Sequence, residues 1–464
     1  MLKAWPMVSD MLNENPENAR ALYFAGWIMR HQGHIGVAAQ LFRRALAHER
    51  KVPNIWMHYA ACLHDTHQYD EAREAFKFVH KALPKDSQPL ANIAAGYVQQ
   101  GKSQDAVVWA DRALAIDSEN RIARVAKGFG CLGLGRWSEG WEHAAYLYGD
   151  KLVIRVYRDP EEPTWDGTPG QTVVVQADQG LGDMIMFSQC IPDLVKDCKQ
   201  VIVETNTRLA PLFRRNFPDV HVYDTLKEKG GLEWPKQYEI DAHIHISWLG
   251  KYYRKADSDF PRKPYLTACP EKRQKWREWL QQFPRPWVGL AWKGGIAHTN
   301  MVARSMQLKE WEPILKSGGS FISLCYQDVA QEVALWNIDN HEQVHVPRID
   351  NSGDYDEWFA LAAELDQVIS TTTTIAHARA AQGKSAYLMV NAMPPWQHRY
   401  EVDDGMIWYA PNTITNYRQK LSEKNWAPTI ARVTSDYKRW LSLNMVACPH
   451  CAQGNPCACG AARC

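Results

Sequence analysis

The stretch that decides the fold is TVVVQ at residues 172–176, followed by DQGLGD at residues 178–183. The apolar, β-branched run predicts a buried strand, and residues 184–195 predict a helix. Glycines between a strand and a helix N-terminus let the backbone approach a ligand, and the helix dipole there favours negative charge. Asp183 therefore either stands in a ligand cleft or simply caps or charge-matches the first helical turn.

The composition is that of a globular protein with several domains. At 464 residues, the chain should form about three domains of ordinary size. Hydrophobic residues make up 45% of it and charged residues 23%. The 53 basic and 52 acidic side chains give a formal charge of +1, which argues against bulk nucleic acid as the main partner. Basic residues between 251 and 277 leave open a local patch for an anionic acceptor, and a solvated linker and helix face explains them about as well.

Targeting and cysteine patterns predict a cytoplasmic protein without a membrane span. The N-terminal residues show no signal-peptide pattern, and no run of about 18 apolar residues occurs. Six cysteines are scattered without the spacing of a disulfide framework, as expected in a reducing compartment: Cys62, Cys131, Cys190, Cys198, Cys269 and Cys325.

The first 150 residues contain a repeat of 34 residues, the period typical of tetratricopeptide repeats. We expect two sets of small residues to let helices approach closely, a third set to occupy turns, and Phe42 and Phe76 to fill the groove. Such arrays bind peptides or protein surfaces and can mediate self-association; a purely structural role is the alternative. The small sets are Gly26, Ala60, Ala94 and Gly128, and Ala38, Ala72, Ala106 and Gly140, and the turn set is Gly33, His67, Gly101 and Gly135.

Beyond the repeats, the pattern is that of parallel sheets with crossover helices. Short apolar runs at 173–175, 201–203 and 240–246 alternate with helical stretches at 184–195 and 208–217. Two such α/β halves suggest two Rossmann-like lobes that face one another across a cleft. The second half follows a basic helix at 271–282 and has predicted strands at 287–292, 320–325, 343–346, 367–370 and 385–390.

Three segments, in this order behind a repeat array, carry a family resemblance. They are PTWDG followed by QTVVVQADQGLGDMIMFSQCIPDL, then GLAWKGGIAHTNMVARSMQLKEWEPIL, and DYDEWFALAAELDQVISTTTTIAHARAAQGKSAYLMV. Together they resemble the tetratricopeptide-linked glycosyltransferases related to heptosyltransferases. The later pieces WQHRY, IWYAP and YRQ fit the same pattern, so the likeness extends from Asn18 to about Leu441.

The resemblance implies an α + α/β chain, with tetratricopeptide helical repeats followed by two Rossmann-like lobes of the GT-B type. It also implies metal-independent, inverting transfer from a nucleotide-sugar donor to a macromolecular acceptor, with no cofactor required for catalysis. The boundaries expected are 1–150 for the repeats, 151–170 for a linker, 171–270 for the acceptor-side lobe, 271–286 for an inter-lobe helix, 287–445 for the donor lobe and 446–464 for a cysteine-rich tail.

The family pattern assigns roles to particular residues. Asp183 matches the position of the general base, and the acceptor-side loop beside it contains Gln179, Gly180 and Gly182. On the donor side, Lys293, Arg304 and Ser305 follow the first strand of the second lobe, where cations can meet a diphosphate and a hydroxyl can donate to it. An ordinary surface position is the alternative for Arg304.

The run from Thr371 to His377 follows a strand and starts a helix, where hydroxyls and free amides form an anion site. Thr373 and His377 match the family's D-T-x-x-A-H pattern, which implies a donor-site role; a satisfied core histidine is the alternative. Thr372 stands where the pattern has an acid, so a carboxylate expected near the sugar hydroxyls is missing. Trp396 fits a loop whose tryptophan faces the donor in relatives, and aromatic packing is the alternative.

Two further motifs stand apart. Asp257-Ser258-Asp259 offers the Asp-x-Asp of metal-dependent glycosyltransferases, but no buried strand precedes it, so we discount it. The tail offers ligands for one structural zinc, against the alternative of a flexible, oxidation-prone end. These ligands are Cys448, Cys451, Cys457 and Cys459.

Three functions fit the sequence. The first is a glycosyltransferase whose repeats present a protein or other macromolecular acceptor. The second is a non-catalytic tetratricopeptide scaffold that retains a glycosyltransferase-like shell. The third is a glycosyltransferase that acts on nucleic acid or glycan.

Overall fold

The structure is a computed structural model that describes residues 5–145, 161–177, 180–224, 234–295, 301–350, 353–398, 401–402, 405–420 and 422–444. The chain divides into two compact units, Met1–Val153 with Met393–Tyr400 and Ile154–Ala392 with Glu401–Cys464. None of the helices in the described ranges is long and apolar enough to cross a membrane.

The first unit is a stack of helices. Each helix packs chiefly on its neighbours in sequence, as repeat proteins do. In the described residues the helices are α1 (Trp5–Glu14), α2 (Ala19–His31), α3 (Ile35–His48), α4 (Pro53–Asp65), α5 (Tyr69–Ala82), α6 (Gln88–Gln99), α7 (Ser103–Leu114), α8 (Arg121–Leu132) and α9 (Trp137–Ala144).

The residue sets that recur every 34 residues occupy the places that the repeat predicts. The small residues are buried, and a Cβ on Gly26 would come within 2.8 Å of the Phe42 ring. Phe42 and Phe76 are 0% and 1% exposed and lie within the helical core. All four turn residues have positive φ, which glycine adopts without strain and which His67 adopts at 62°. The tetratricopeptide-type packing is therefore confirmed.

The second unit contains two parallel sheets. The strands of the first are β1 (Thr172–Gln176), β2 (Gln200–Thr205), β3 (His221–Asp224) and β4 (Ala242–His245), in the order β3-β2-β1-β4. The central strand β1 is buried throughout, and Val173 lies between Val201 of β2 and Ala242 of β4. The accompanying helices are α10 (Leu181–Phe187), α11 (Ile191–Asp197), α12 (Ala210–Asn216) and α13 (Leu249–Tyr253).

The second sheet has six strands against four in the first, and large aromatic side chains pack beside it. Trp292, Trp311 and Phe321 are fully buried beside it. Its strands are β5 (Trp287–Ala291), β6 (Ser320–Ser323), β7 (Val344–His345), β8 (Gln367–Thr371), β9 (Ala386–Val390) and β12 (Ile414–Arg418), in the order β12-β9-β8-β5-β6-β7. A separate antiparallel pair, β10 (Glu401–Val402) and β11 (Gly405–Met406), lies between β9 and β12 in the sequence. The helices are α14 (Pro270–Leu280), α15 (Glu312–Leu315), α16 (Ala330–Asp339), α17 (Asp356–Glu364), α18 (Thr374–Ala381) and α19 (Ala427–Asn444).

The predicted alternation of strands and helices is confirmed, with differences in detail. Strands β3 and β12 have no counterpart in the prediction, because both are edge strands with mixed burial and lack a continuous apolar run. The helix predicted at 184–195 is two helices, separated by a 3₁₀ turn at Ser188–Cys190. Pro192 explains the break, since it has no N–H to donate to the Ser188 carbonyl.

Gly128 sets how closely α8 and α9 approach. A Cβ there would lie 2.3 Å from the Ala144 nitrogen and 2.7 Å from its Cα, so backbone would have to move. We expect Gly128→Ala to lower the unfolding free energy by about 1–3 kcal/mol in urea titrations. Gly36→Ala is the matched control, because nothing lies within 4 Å of a Cβ at that helical glycine, and it should raise stability by about 0.5–1 kcal/mol. Equal effects of the two substitutions would contradict this packing.

Candidate functional site

The glycine-rich turn after β1 leads into α10. Gly180 is the extended N-cap of this helix, and Asp183 lies in its first turn. The Asp183 carboxylate folds back over Gly180, since a Cβ on Gly180 would lie 2.4 Å from Asp183 Oδ2. This position has the charge that matches a helix N-terminus. Gln179 lies outside the described residues.

Arg304 approaches Asp183 from the second sheet. It ends the 3₁₀ turn Val302–Arg304, and its Nε donates to Thr372 Oγ1 at 2.9 Å while Nη2 donates to the Thr372 carbonyl. Burial lowers the pKa of Arg304, and the negative charge of Asp183 acts in the opposite direction. The fold therefore brings Asp183, Arg304 and Thr372 into one electrostatic environment.

The loop after β5 supports Arg304. Ser305 Oγ accepts a hydrogen bond from Gly294 N at 3.0 Å and donates to Gly294 O at 3.1 Å. A Cβ on Gly294 would lie 3.1 Å from both the Arg304 carbonyl oxygen and Thr371 Oγ1. Ser305 thus fixes the loop on which Arg304 stands, and its contact with a donor stays a prediction.

The start of α18 lacks the cap that its own threonine would supply. Thr373 is the N-cap residue, but its side chain makes no capping hydrogen bond. Its hydroxyl lies 2.8 Å from Ser370 Oγ, and Thr371 Oγ1 donates to the Ala291 carbonyl at 3.3 Å. First-turn amides without this cap favour an anion at the helix start.

His377 belongs to a chain of side-chain contacts that ends on the first half of the unit. Its Nδ1 lies 2.6 Å from Tyr409 Oη, the Tyr409 ring stacks on the Tyr265 ring with centres 6.4 Å apart, and Tyr265 Oη donates to the Ile185 carbonyl at 2.9 Å. The opposite side of the ring faces Gly182, where a Cβ would lie 2.9 Å from His377 Cδ2.

The environment keeps His377 neutral at physiological pH. Burial lowers the pKa of His377 to about 4, and the positive charge of Arg304 acts in the same direction. Tyr409 stays protonated, because burial raises its pKa well above the ordinary value. The ring is therefore a fixed, uncharged part of the site wall.

Two predicted donor residues have other contacts. Lys293 forms an ion pair with Glu332 at 3.1 Å, and Glu332 also accepts from Trp292 Nε1. Trp396 is 9% exposed and meets Trp141 edge-on, with ring centres 5.5 Å apart, in the repeat unit. The second contact is aromatic packing, the alternative that the sequence left open for Trp396.

The basic stretch from 251 to 277 is largely paired. Arg254 is 2% exposed and bonds Asp193 at 2.9 Å. On α14, four cations face acidic residues of α17 and the turn before it, so they join two elements of the protein. The pairs are Lys272 with Asp354, Arg273 and Arg277 with Glu364, and Lys275 with Glu357.

Of the two possible metal motifs, the structure describes only Asp257-Ser258-Asp259. Asp259 Oδ2 accepts from the backbone N–H groups of Lys255 and Ala256, both at 2.9 Å, so it stabilises its own turn. The described residues contain no group of three or more His, Cys, Asp or Glu side chains that could hold a metal ion. The four tail cysteines lie outside those residues, and their zinc site stays a prediction.

Several residues near the site have no signal in the sequence. Tyr409 lies within the IWYAP piece but is not distinguished there, and Tyr265 and Arg208 belong to no motif. Each contributes through contacts with residues distant in sequence. Only the fold brings them to the site.

Comparison with known proteins supports the repeats. The N-terminal region consists of tetratricopeptide-type repeats, and within it the family model of anaphase-promoting complex, cyclosome, subunit 3 matches residues 3–79. Protein FlbA of Caulobacter vibrioides is 28% identical over 277 residues, which cover 56% of this chain and 46% of FlbA. The chain thus spans about half the length of this curated relative, and a match this long extends beyond the repeats.

Solved structures of repeat proteins are also similar to part of the chain. MamA from Desulfovibrio magneticus RS-1 is 17% identical, with 31% of this chain and 80% of MamA covered and a TM-score of 0.28. YrrB, described as a TPR protein with an unusual peptide-binding site, is 16% identical, with 30% and 72% covered and a TM-score of 0.26.

The lowered pKa of His377 predicts a pH dependence of stability. The pKa is about 4 in the folded protein and 6.5 as the ordinary value, so between these pH values the unfolded chain binds a proton that the folded protein excludes. Neutral His377 therefore contributes to the unfolding free energy fully above pH 6.5, and this stabilisation is lost as the pH falls towards 4. We expect His377→Asn to flatten the dependence in denaturant titrations over this interval. His221→Asn, at an exposed position on β3, is the control; an unchanged slope for His377→Asn would contradict the prediction.

Proposed function

We propose that this chain binds a protein partner through its repeats and transfers a sugar from a nucleotide donor in a cleft between its two parallel sheets. In this proposal the two halves of the α/β unit are the lobes of a GT-B glycosyltransferase. The observation that carries it is the proximity of Asp183, from the first half, to Arg304 and the start of α18, from the second.

The repeats supply the interaction surface. Tetratricopeptide-type repeats suggest a protein-interaction scaffold. Large aromatic side chains are exposed on this unit, with Phe24 at 40% and Phe78 at 38%. The Arg20 guanidinium lies 5.9 Å from the Phe24 ring centre, a combination of cation and aromatic surface that is common in protein interfaces.

The chemistry of glycosyl transfer fits the charges of the cleft. The reaction needs a base for the acceptor hydroxyl and a stabiliser for the departing phosphate. Asp183 would accept the hydroxyl proton. Arg304 and the amides at the start of α18 would bind the negative charge that develops on the leaving group. Neutral His377 would form part of the wall of the cleft without adding a charge to it.

Thr372 bears on the donor side of the proposal. The family resemblance implies an acid at this position, but here neutral threonine oxygens accept from Arg304. The positive charge of Arg304 is therefore not cancelled by the residue that orients it. This arrangement supports anion binding. Without the carboxylate, a sugar would have to be recognised by other groups of the site.

A non-catalytic scaffold is the second candidate. It is favoured because the family match at residues 3–79 lies in the repeats, and because Thr372 departs from the pattern of active relatives. The same fold would then hold the repeats without transferring a sugar.

Binding of nucleotide sugars separates the two candidates. We expect nucleoside diphosphates or their sugars to raise the melting temperature of the full chain, since a ligand of the folded state stabilises it. Arg304→Gln should abolish this rise. Asp183→Asn should retain the rise but lower transfer by about 100-fold or more, because it removes only the base.

The control for these variants is Arg214→Gln, which removes an exposed arginine paired with Asp224 at 3.4 Å. It should behave as the wild type in both measurements. If no nucleotide or nucleotide sugar changes the melting temperature of the wild-type chain, the transferase proposal fails and the scaffold stands.

The repeat surface can be tested independently. We expect the double variant Phe24→Ala, Phe78→Ala to bind a partner protein recovered with the wild-type chain about fivefold or more weakly, because exposed aromatic rings contribute strongly to interfaces. Its nucleotide response should be unchanged. Leu335→Ala, which removes a side chain 59% exposed on α16, is the control. Equal affinity of the double variant and the wild type would place the interface elsewhere.

A further inference from the structure

Arg208 connects the two halves of the α/β unit beside the proposed cleft. It follows β2, yet its guanidinium carbon lies 5.5 Å from the ring centre of Tyr355, which directly precedes α17. The Arg208 carbonyl accepts from Tyr355 N at 2.8 Å. An aromatic ring holds a cation in place without neutralising it.

Tyr355 links Arg208 to the start of α18. It is 5% exposed, burial raises the pKa of its hydroxyl, and Thr374, the first residue of that helix, acts on this pKa in the opposite direction with a smaller effect. Arg304 is bonded to Thr372, two residues earlier. The two arginines therefore approach one helix start, Arg208 from the first half of the unit and Arg304 from the second.

The positive charges of both arginines act on Tyr326. Its hydroxyl donates to the Gly295 carbonyl at 2.7 Å, on the loop after β5 that also carries Ser305 and Arg304. Burial raises the pKa of Tyr326, and the positive charges of Arg304 and Arg208 both oppose that shift. The three side chains thus form one cluster.

Neither arginine of the cluster forms an ion pair with a described carboxylate, although the charge of Asp183 acts on Arg304. Among the residues that the structure describes, no carboxylate lies within ion-pair distance of Arg208 or Arg304. The Arg208 Nε is buried and has no hydrogen-bond partner. A donor in this state costs free energy unless a ligand satisfies it.

We propose that Arg208 is the second cation of an anion site whose first cation is Arg304, and that the two bind the phosphate oxygens of a nucleotide-sugar donor from opposite halves of the unit. This inference rests on the proposed function, which assigns the donor to Arg304 and α18. Phosphate oxygens match the planar fork of donors on each guanidinium group. A bound phosphate would therefore also hold the two halves together.

Titration calorimetry of the full chain with inorganic pyrophosphate tests this site without knowledge of the nucleotide. We expect Arg208→Gln and Arg304→Gln each to weaken pyrophosphate binding about tenfold or more, as loss of a charge-assisted contact does. Arg208→Lys keeps the charge but loses the planar fork of donors, so its affinity should lie between that of Arg208→Gln and that of the wild type. Arg214→Gln, on α12 of the same half, should retain wild-type affinity. Arg208→Met keeps the aliphatic packing over Tyr355 and replaces Arg208→Gln if that variant does not fold.

The outcomes distinguish this inference from the proposed function. Wild-type affinity in Arg208→Gln, with loss in Arg304→Gln, would overturn the role of Arg208 and leave the transferase proposal intact. Binding that depends on both arginines, without a response to any nucleotide sugar, would support the anion site and overturn the donor assignment. Absence of pyrophosphate binding to the wild-type chain would overturn the paired-arginine site.

Discussion

The buried guanidinium group of Arg379 fixes the helix on which the candidate site depends. Arg379 lies on α18, is 2% exposed and donates to the carbonyls of Ala362, Leu365, Asp366 and Ser385. These carbonyls belong to the end of α17, the approach to β8 and the approach to β9. Burial lowers the pKa of Arg379 to about 10, so the group remains charged at neutral pH. Since removal of a cation would leave several buried acceptors unpaired, these elements keep one arrangement.

That arrangement matters because α18 begins where the two halves of the α/β unit meet. Arg215, on α12, forms a two-pronged ion pair with Asp356, on α17, at 2.6 and 2.8 Å. Asp356 is 1% exposed, and a buried bidentate pair of this kind constrains geometry more than it adds stability. The Trp408 ring meets Phe187 and Phe260 edge-on, at 5.2 and 4.9 Å. These ionic and aromatic contacts therefore fix the position of the half that carries Asp183 relative to the half that carries Arg304.

The parts of this protein that sequence reasoning could predict are those with a period or a continuous pattern. The 34-residue spacing predicted which residues lie in the turns, and all four of them, including His67, have positive φ. Buried strands such as β1 and β5 were predicted by unbroken apolar runs, whereas the edge strands β3 and β12 were missed because solvent allows polar residues there. Arg208 could not be predicted, since its partners come from other elements. The basic stretch was ambiguous for the same reason: sequence shows charge but not the counterion.

Thr372 alters the charge of the candidate site more than its shape. An acid at this position would lie against Arg304, and two unit charges about 4 Å apart interact by about 4 kcal/mol near a protein surface. Such a pair would cancel much of the field that Arg304 directs at a ligand. Threonine orients Arg304 through neutral oxygens instead, and the opposing charge that acts on Arg304 is that of Asp183, on α10. In the proposed site, threonine at this position therefore leaves the positive charge of Arg304 free to act on an anionic ligand.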